Sequence, residues 1–186
     1  MLIYARMKLK IIKDSNPIMR KKSLPVELPL SKQDKDTLDA MLEYLKLSQD
    51  EEYATKHNIQ AGVGMAAIQI GLLKRMFVIY YQADEGPVEY QIVNPQILET
   101  SVKKCALEQG EGCLSVPNHH EGLVHRYYKI KMRAYEAIRG EEIILTAMGY
   151  DAVVLQHEYD HLDGIFYYDR INPKNPNGKM FGEEII

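Results

Sequence analysis

Two histidines with a spacing suited to metal chemistry lie near the C-terminal end of the chain, in the segment Gln156-His157-Glu158-Tyr159-Asp160-His161. On a helix, positions i and i+4 share one face, so both imidazoles can bind the same divalent metal. Glu158 follows the first histidine directly and can accept a proton from a water molecule activated there. The pattern predicts a metal-dependent hydrolase.

The neighbours of this motif favour a buried site over a polar helix face with two surface histidines. Val153, Val154 and Leu155 precede the motif, and Leu162 and Ile165 follow it. Buried polar groups need partners, and a metal ion can satisfy several of them at once. We therefore expect the two rings to lie inside the protein.

A catalytic metal usually has three protein ligands and one open position, so two histidines leave the site incomplete. The remaining side chains able to bind a metal supply the candidates: Cys113, His57, His119, His120, His125 and several carboxylates. Cys113 is favoured because neighbouring glycines permit close backbone approach and because a thiolate binds iron or zinc well. Cys105 lacks such surroundings, and we interpret it as a small buried hydrophobic residue.

A glycine-rich segment, Ala61-Gly62-Val63-Gly64-Met65-Ala66-Ala67-Ile68-Gln69, comes before both groups. No Lys-Ser/Thr pair follows it and no strand precedes it, so a phosphate-binding loop is disfavoured. A tight backbone passage against a ligand is the alternative. The amide of Gln69 could then donate a hydrogen bond to a developing oxyanion, although a surface glutamine is the plainer interpretation of this residue alone.

Two helices are predicted to carry or support these residues. Ser31 and Asp34 are typical of a helix start, and a stripe of apolar residues predicts a helix over 32–48, formed by Leu38, Met41, Leu42 and Leu45. A second helix is predicted over 152–162, with Gly164 ending it. This second helix would hold both histidines.

Short strands make up most of the remainder. Their predicted ranges are 75–81, 90–93, 127–137, 142–145 and 165–168, with a tight turn at Arg139-Gly140. The polar stretch 49–60 is predicted to be a helix end followed by a loop. Without alternation of strands and helices, this order predicts an α+β fold: small mixed or antiparallel sheets around a central C-terminal metal-binding helix, plus an N-terminal helix.

The bulk properties narrow the class of protein. With 186 residues, the chain fits one domain, 1–186. A net charge of −3 gives no electrostatic case for nucleic acid or an anionic membrane. The segment Met1–Lys10 lacks the apolar region of a secretory signal, and Met7 offers an alternative start. We therefore predict a cytoplasmic protein.

Three segments together resemble the peptide deformylase family. Gly62-Val63-Gly64-Met65-Ala66-Ala67-Ile68-Gln69, Glu111-Gly112-Cys113-Leu114-Ser115 and the histidine segment are similar to its three motifs, in the same order and spacing. The polar stretch 49–60 and a strand-like C-terminus resemble the type II deformylases of Gram-positive bacteria. Ile68 departs from the proline or threonine that the family often has.

The resemblance implies a hydrolase that removes the formyl group from the N-terminal formyl-methionine of newly synthesised polypeptides and releases formate. One divalent metal, usually Fe²⁺ with Ni²⁺, Co²⁺ or Zn²⁺ as substitutes, would be held by Cys113, His157 and His161. Glu158 would accept a proton from water and later give it to the leaving amine. The oxyanion would be met by the Gln69 amide and the Leu114 N–H.

A substrate groove is also implied. An apolar pocket for the methionine side chain would be lined by Gly64, Tyr150, Val153, Val154 and the ring of His157. The backbones of Val63-Gly64 and Glu111-Gly112 would pair with the peptide as an added strand. Arg126 would brace a carboxylate such as Glu111 or Asp160. The implied partners are N-formylmethionyl nascent chains and, transiently, the ribosome, with neither DNA nor a membrane.

Two other hypotheses remain open at this point. A zincin-type metalloprotease would take its third ligand downstream of the histidines, where Glu183 and Glu184 lie. A non-catalytic relative would bind peptide or ribosome without turnover and would need neither Glu158 nor Gln69. Metal binding after loss of Cys113 separates the first alternative, and formate release separates the second.

Overall fold

The computed structural model describes residues 9–186. The helices are α1 (Lys32–Ser48), α2 (Glu51–His57) and α3 (Gly149–Leu162), with 3-10 turns at Pro17–Arg20, Ala67–Ile70 and Tyr167–Arg170. The strands are β1 (Gly64–Ala66), β2 (Met76–Ala83), β3 (Gly86–Thr100), β4 (Lys104–Ala106), β5 (Arg126–Tyr127), β6 (Lys129–Glu136), β7 (Glu141–Met148) and β8 (Glu184–Ile185). The alternative start at Met7 and most of the segment expected to lack a secretory signal lie outside the described residues.

The strands form two sheets. Five of them make an antiparallel sheet in the order β1-β2-β3-β6-β7, and three make a small mixed sheet in the order β5-β4-β8. In the smaller sheet, β4 and β8 are parallel. The mixed α+β class predicted from the sequence is confirmed.

Alternating side chains of β2 separate two hydrophobic cores. Because successive residues of a strand point to opposite faces, Met76 and Val78 pack toward α1, while Phe77 and Ile79 pack toward α3. The helix α1 has the predicted bounds, and the Ser31 hydroxyl accepts the Asp34 N–H at its start. Its apolar stripe is buried as expected.

The helix α3 lies against both sheets, and most of its residues are buried. It begins at Gly149, three residues earlier than predicted, and ends at Leu162 as predicted. At Gly164 the backbone adopts a left-handed φ of 73°, and a Cβ there would come within 2.4 Å of the Arg20 carbonyl oxygen. Only glycine fits such a position, so the chain leaves α3 with no freedom to extend it.

The predicted strand over 165–168 is wrong. These residues lead into the 3-10 turn Tyr167–Arg170, because Asp169 accepts the Phe166 N–H at 2.8 Å and Arg20 binds Asp169 from the side. Aromatic residues predicted strand here, but Phe166 and Tyr167 are buried by packing against α3 instead.

Other boundaries also differ from the predictions. The strand predicted over 90–93 continues to Thr100 as β3, with a register shift next to Pro95 that accommodates the missing N–H. The stretch 49–60 contains the separate helix α2, started by Asp50, which accepts the Tyr53 N–H. The range 127–137 is divided into β5 and β6, and β7 extends beyond 142–145 at both ends.

Candidate active site

The sulfur of Cys113 and one ring nitrogen from each of His157 and His161 converge on the α3 side of the large sheet. One donor atom each from Cys113, His157 and His161 lies within 4.8 Å of the others, and Cys113 Sγ is 3.2 Å from His161 Nε2. Both rings come from one face of α3, as the spacing predicts, whereas Cys113 comes from the loop that follows β4. This is the only such donor cluster found in residues 9–186.

The loop around Cys113 ends in a tight turn. Val116 donates its N–H to the Cys113 carbonyl at 3.0 Å, which makes Leu114 and Ser115 the central residues of the turn. In a trans peptide the carbonyl and the following N–H point in opposite directions. The Leu114 N–H therefore points away from Val116.

His157 is oriented by a buried carboxylate. Its Nδ1 is 2.7 Å from Glu111 Oε2, so the Nδ1 proton is held by Glu111 and Nε2 is left to bind a metal. Arg126 donates to both oxygens of Glu111, at 2.8 and 2.9 Å, and reaches Asp160 at 2.5 Å. The predicted brace by Arg126 is confirmed, and it joins the Cys113 loop to α3.

The charges of this network follow from burial and pairing. Burial raises the pKa of Glu111, but Arg126 and His157 outweigh it and hold the pKa at about 2. Burial lowers the pKa of His161 well below its ordinary value, and neighbouring His157 lowers it further. For His157, burial lowers the pKa, but Cys113 and Glu111 raise it well above its ordinary value. A metal binding here would displace protons from the ligand set.

Glu158 faces the same space and has an unused oxygen. The side chain is only 3% exposed, and its Oε2 finds no hydrogen-bond partner within residues 9–186. Burial raises its pKa to about 7. A carboxylate in this state can take up and release a proton near neutral pH.

Gln69 is buried, which excludes the interpretation as a surface glutamine. Its Oε1 accepts the Ala66 N–H at 2.8 Å, so the amide orientation is set and Nε2 faces Ser115 Oγ at 3.1 Å and Cys113 Sγ at 3.6 Å. One N–H of Gln69 is thus directed at the donor cluster.

A cavity of about 240 Å³ opens from this cluster to the surface. It is lined by all eight residues that the family resemblance places in a substrate groove: Val63, Gly64, Glu111, Gly112, Tyr150, Val153, Val154 and His157. Tyr150 is 40% exposed and stands at the mouth. Gln69, Leu114 and Glu158 also line the cavity, so the donor groups and the groove share one space.

Several other residues of this cavity belong to no predicted motif, among them Leu107 and Gln49. Gln49 donates its amide to the carbonyls of Gly62 and Tyr80, at 2.8 and 2.7 Å, and so supports the glycine-rich wall. Its position at the end of α1, far from any motif, gave no signal. Ser115 belongs to the motif around Cys113, but the motif does not indicate its contact with Gln69.

The other candidate ligands lie away from the cluster. His57 stacks on Tyr53, His120 packs at a tilt against Tyr168, and His125 contacts Glu183. Glu184 pairs with Lys103 on the small sheet. Neither downstream glutamate therefore joins the two histidines, as a zincin-type site would require.

Cys105 is fully buried on β4, as predicted, and its pKa rises to about 11, chiefly through burial. It stays a protonated thiol at neutral pH. The cluster around Cys113, in contrast, combines a thiol, two imidazoles and an unpartnered carboxylate oxygen. This donor set fits a divalent metal such as iron, cobalt, nickel or zinc.

Among residues 9–186, no helix has both the length and the apolar character that a membrane crossing needs.

Comparison with known proteins gives consistent matches. The family described as "Polypeptide deformylase" matches residues 8–177. The peptide deformylase of Macrococcus caseolyticus is 46% identical over 168 residues, which are 89% of this chain and 91% of the relative. Peptide deformylase 2 of Geobacillus stearothermophilus is 45% identical, over 89% of this chain and 90% of the relative.

Solved structures agree with the sequence matches. The crystal structure of peptide deformylase from Thermotoga maritima aligns with a TM-score of 0.70 and 33% identity, over 90% of this chain and 100% of the other. That from Ehrlichia chaffeensis aligns with a TM-score of 0.72 and 27% identity, over 90% of each chain. Fold and sequence thus point to the same group of proteins.

Proposed function

Because the chain belongs to the peptide deformylase family, and is thus an enzyme that removes the formyl group from N-formylmethionyl polypeptides, we propose that Cys113, His157 and His161 hold its metal ion. One observation carries this assignment. The thiol of Cys113, distant from both rings in the sequence, lies with them inside a 4.8 Å cluster. A buried thiol beside two imidazoles has a clear use as a metal ligand.

The metal is proposed to be Fe²⁺, with Ni²⁺, Co²⁺ or Zn²⁺ able to replace it. Thiolate and imidazole donors suit all four ions, and the family is metal-dependent. When bound, such an ion polarises the formyl carbonyl and makes water acidic enough to act as a nucleophile near neutral pH.

Glu158 is proposed to move the proton. Its unpartnered Oε2 accepts a proton from the attacking water, as a pKa raised to about 7 by burial allows. The same oxygen then gives the proton to the amine nitrogen as the carbon–nitrogen bond breaks. Water is consumed, and formate and a free amino terminus are produced.

The Gln69 amide and the Leu114 N–H are proposed to stabilise the oxyanion. Gln69 is held with its Nε2 toward Cys113, and the turn at Cys113–Val116 directs the Leu114 N–H away from Val116. Donors fixed before the reaction cost no reorganisation when charge develops. Loss of one such donor typically lowers turnover by about 10²–10³.

The peptide is proposed to bind as an added strand. The strand β1 forms one edge of the large sheet, so the backbone of Val63-Gly64 has a free side. The Glu111 carboxylate is engaged by Arg126, which leaves the Glu111-Gly112 backbone for the opposite side of the peptide. The methionine side chain would enter the cavity beside Tyr150, Val153 and Val154.

We further propose that residues 1–186 form one domain and that the protein works in the cytoplasm, with transient ribosome contact. The two cores share one sheet, which supports a single folding unit. The proposed substrates are nascent N-formylmethionyl chains, which emerge from ribosomes in the cytoplasm. Relatives in Macrococcus and Geobacillus and the C-terminal strand β8 support a type II deformylase.

An anaerobic assay tests the proposal. The protein is loaded with Fe²⁺, formate release from formyl-Met-Ala-Ser is measured, and metal content is measured in the same preparation. We expect turnover and about one metal ion per chain, and replacement C113A should abolish both. Metal retention by C113A would favour a zincin-type site, and full metal occupancy without formate would favour a binding protein.

A further inference from the structure

The segment Ile12–Asp14 is hydrogen-bonded to the backbone carbonyls of Gln69 and Leu114, the two residues proposed to supply the oxyanion donors. The Ile12 N–H donates to the Gln69 carbonyl at 2.8 Å. The Asp14 N–H donates to the Ser115 carbonyl at 2.9 Å. Between them, Lys13 Nζ donates to the Leu114 carbonyl at 2.8 Å. Three consecutive residues thus bridge the glycine-rich segment and the Cys113 loop.

These bonds complete the anchoring of the turn that contains Leu114. The Cys113 carbonyl is held by Val116, the Leu114 carbonyl by Lys13, and the Ser115 carbonyl by Asp14. The Leu114 N–H lies in the peptide plane before this residue, and the Leu114 carbonyl lies in the plane after it. The two planes meet at the Leu114 Cα, so fixing both fixes the backbone torsions of Leu114. The Val116 bond fixes the plane before Leu114, and Lys13 fixes the plane after it.

We propose that Lys13 is a positioning residue for the reaction: through the Leu114 carbonyl, and together with the Val116 bond, it fixes the backbone torsions of the turn in which the Leu114 N–H is directed to the oxyanion. The inference rests on the proposed function, since it needs Leu114 as an oxyanion donor. Lys13 does not touch the substrate groove, and it does not line the cavity. It therefore acts on the transition state through geometry alone.

The chemistry of this contact suits the role. A bond from an ammonium group to a carbonyl is charge-assisted and stronger than a neutral one. Unlike the Ile12 and Asp14 bonds, it comes from a side chain, so substitution can remove it while both backbone bonds remain. A surface lysine without this role would be replaceable without effect on turnover.

Lys13→Met tests the proposal, because methionine keeps an unbranched side chain as far as Cε and lacks the ammonium group that donates the hydrogen bond. We expect kcat to fall about tenfold, less than the loss of an entire oxyanion donor because the backbone bonds remain. KM for formyl-Met-Ala-Ser, iron content and thermal midpoint should stay close to the parent values. Lys13→Arg keeps a charged donor and should restore most of kcat.

Lys10→Met is the matched control, since Lys10 is also an exposed lysine and lies just before the segment Ile12–Asp14. It should leave kcat unchanged. A Lys13→Met enzyme with parental kcat would overturn the proposal, as would a loss of kcat accompanied by an equal loss of iron or stability. Failure of Lys13→Arg to restore turnover would also overturn it. If the parent released no formate, the proposed function itself would fail, and the two failures are therefore distinguishable.

Discussion

Glu158 Oε1 occupies the space that a side chain at Gly64 would need, since a Cβ at position 64 would lie 2.2 Å from that oxygen. No Cβ tolerates such a distance, so the Glu158 carboxylate would have to move if position 64 carried a side chain. The absence of a side chain at Gly64 therefore leaves the space that the Glu158 carboxylate occupies. The glycine-rich segment and the histidine helix are matched at this contact.

Replacement G64A should displace the Glu158 carboxylate and lower kcat/KM at least a hundredfold, a loss in the range for a general base. Iron content should stay close to one per chain, because the substitution removes none of the three proposed ligands. Formate release and metal analysis on the same sample measure both. Replacement G178A is the control, since its new Cβ would meet the side chain of Asn175 away from the cavity. Unchanged turnover in G64A would contradict the importance of this contact.

Replacement E158Q should separate chemistry from metal binding. Glutamine has nearly the same shape but cannot accept the proton, so we expect kcat to fall by about 10²–10⁴. Metal content and thermal midpoint should match the parent, which metal analysis and calorimetry can establish. Residual turnover above a tenth of the parent value would rule out Glu158 as the proton acceptor.

The ion pair between Glu111 and Arg126 should make stability depend on acid pH. The folded-state pKa of Glu111 is about 2, below the ordinary value of 4.5, so its stabilisation is fully present above pH 4.5 and is lost as pH falls toward 2. At about 1.4 kcal/mol for each unit between the two values, this stabilisation is on the order of 3 kcal/mol. In metal-free protein, E111Q should therefore be less stable than the parent at pH 7, and the difference should narrow between pH 4.5 and 2.

Urea unfolding across this pH range measures the effect. Replacement E99Q is the control, because Glu99 is exposed and pairs with Lys131 at the surface. Such pairs contribute at most about 1 kcal/mol, so E99Q should follow the parent. A constant difference between E111Q and the parent at every pH would show that Glu111 stabilises the fold without being ionised.

Metal uptake should release protons. In the metal-free protein Cys113 and Glu111 raise the pKa of His157 well above its ordinary value, which favours the protonated ring, and one proton must leave for Nε2 to act as the proposed ligand. Affinity for Co²⁺ should therefore rise between pH 6 and 8. Titration calorimetry in two buffers with different ionisation enthalpies counts the protons released.

His119 provides the control for this experiment, because it is exposed and lies outside the donor cluster. Replacement H119Q should release the same number of protons as the parent. Identical heats in both buffers would show that the ligands are already deprotonated before the metal binds.

Local patterns predicted the parts of the fold that local interactions determine. The helix α1 has its predicted bounds because a capping serine and an apolar stripe both lie within its own sequence. The spacing of His157 and His161 likewise placed both rings on one helix face. Cys113 was favoured from its glycine-rich setting, and the structure brings it to the rings.

The remaining features depend on contacts distant in the sequence. The aromatic run at 165–168 predicted a strand, but Asp169 and Arg20 make a 3-10 turn of it. Gln69 looked like a surface residue by itself, but it is buried where its segment meets the distant Cys113 loop and contacts Ser115 and Cys113. The strand β3 continues past Pro95 to Thr100 by pairing with β6, a partner that no local pattern reveals.

Arg126 joins the Cys113 loop to α3, and Arg170 binds Asp160 from the far side at 2.5 Å. Cys113 and His161 are 48 positions apart in the sequence, and Arg170 follows His161 at the end of the last 3-10 turn. All of these residues must therefore have been synthesised before the Cys113 loop and α3 can form this network. A partial copy that ends before His161 therefore lacks one of the three proposed metal ligands, and one that ends before Arg170 lacks the outer brace on Asp160.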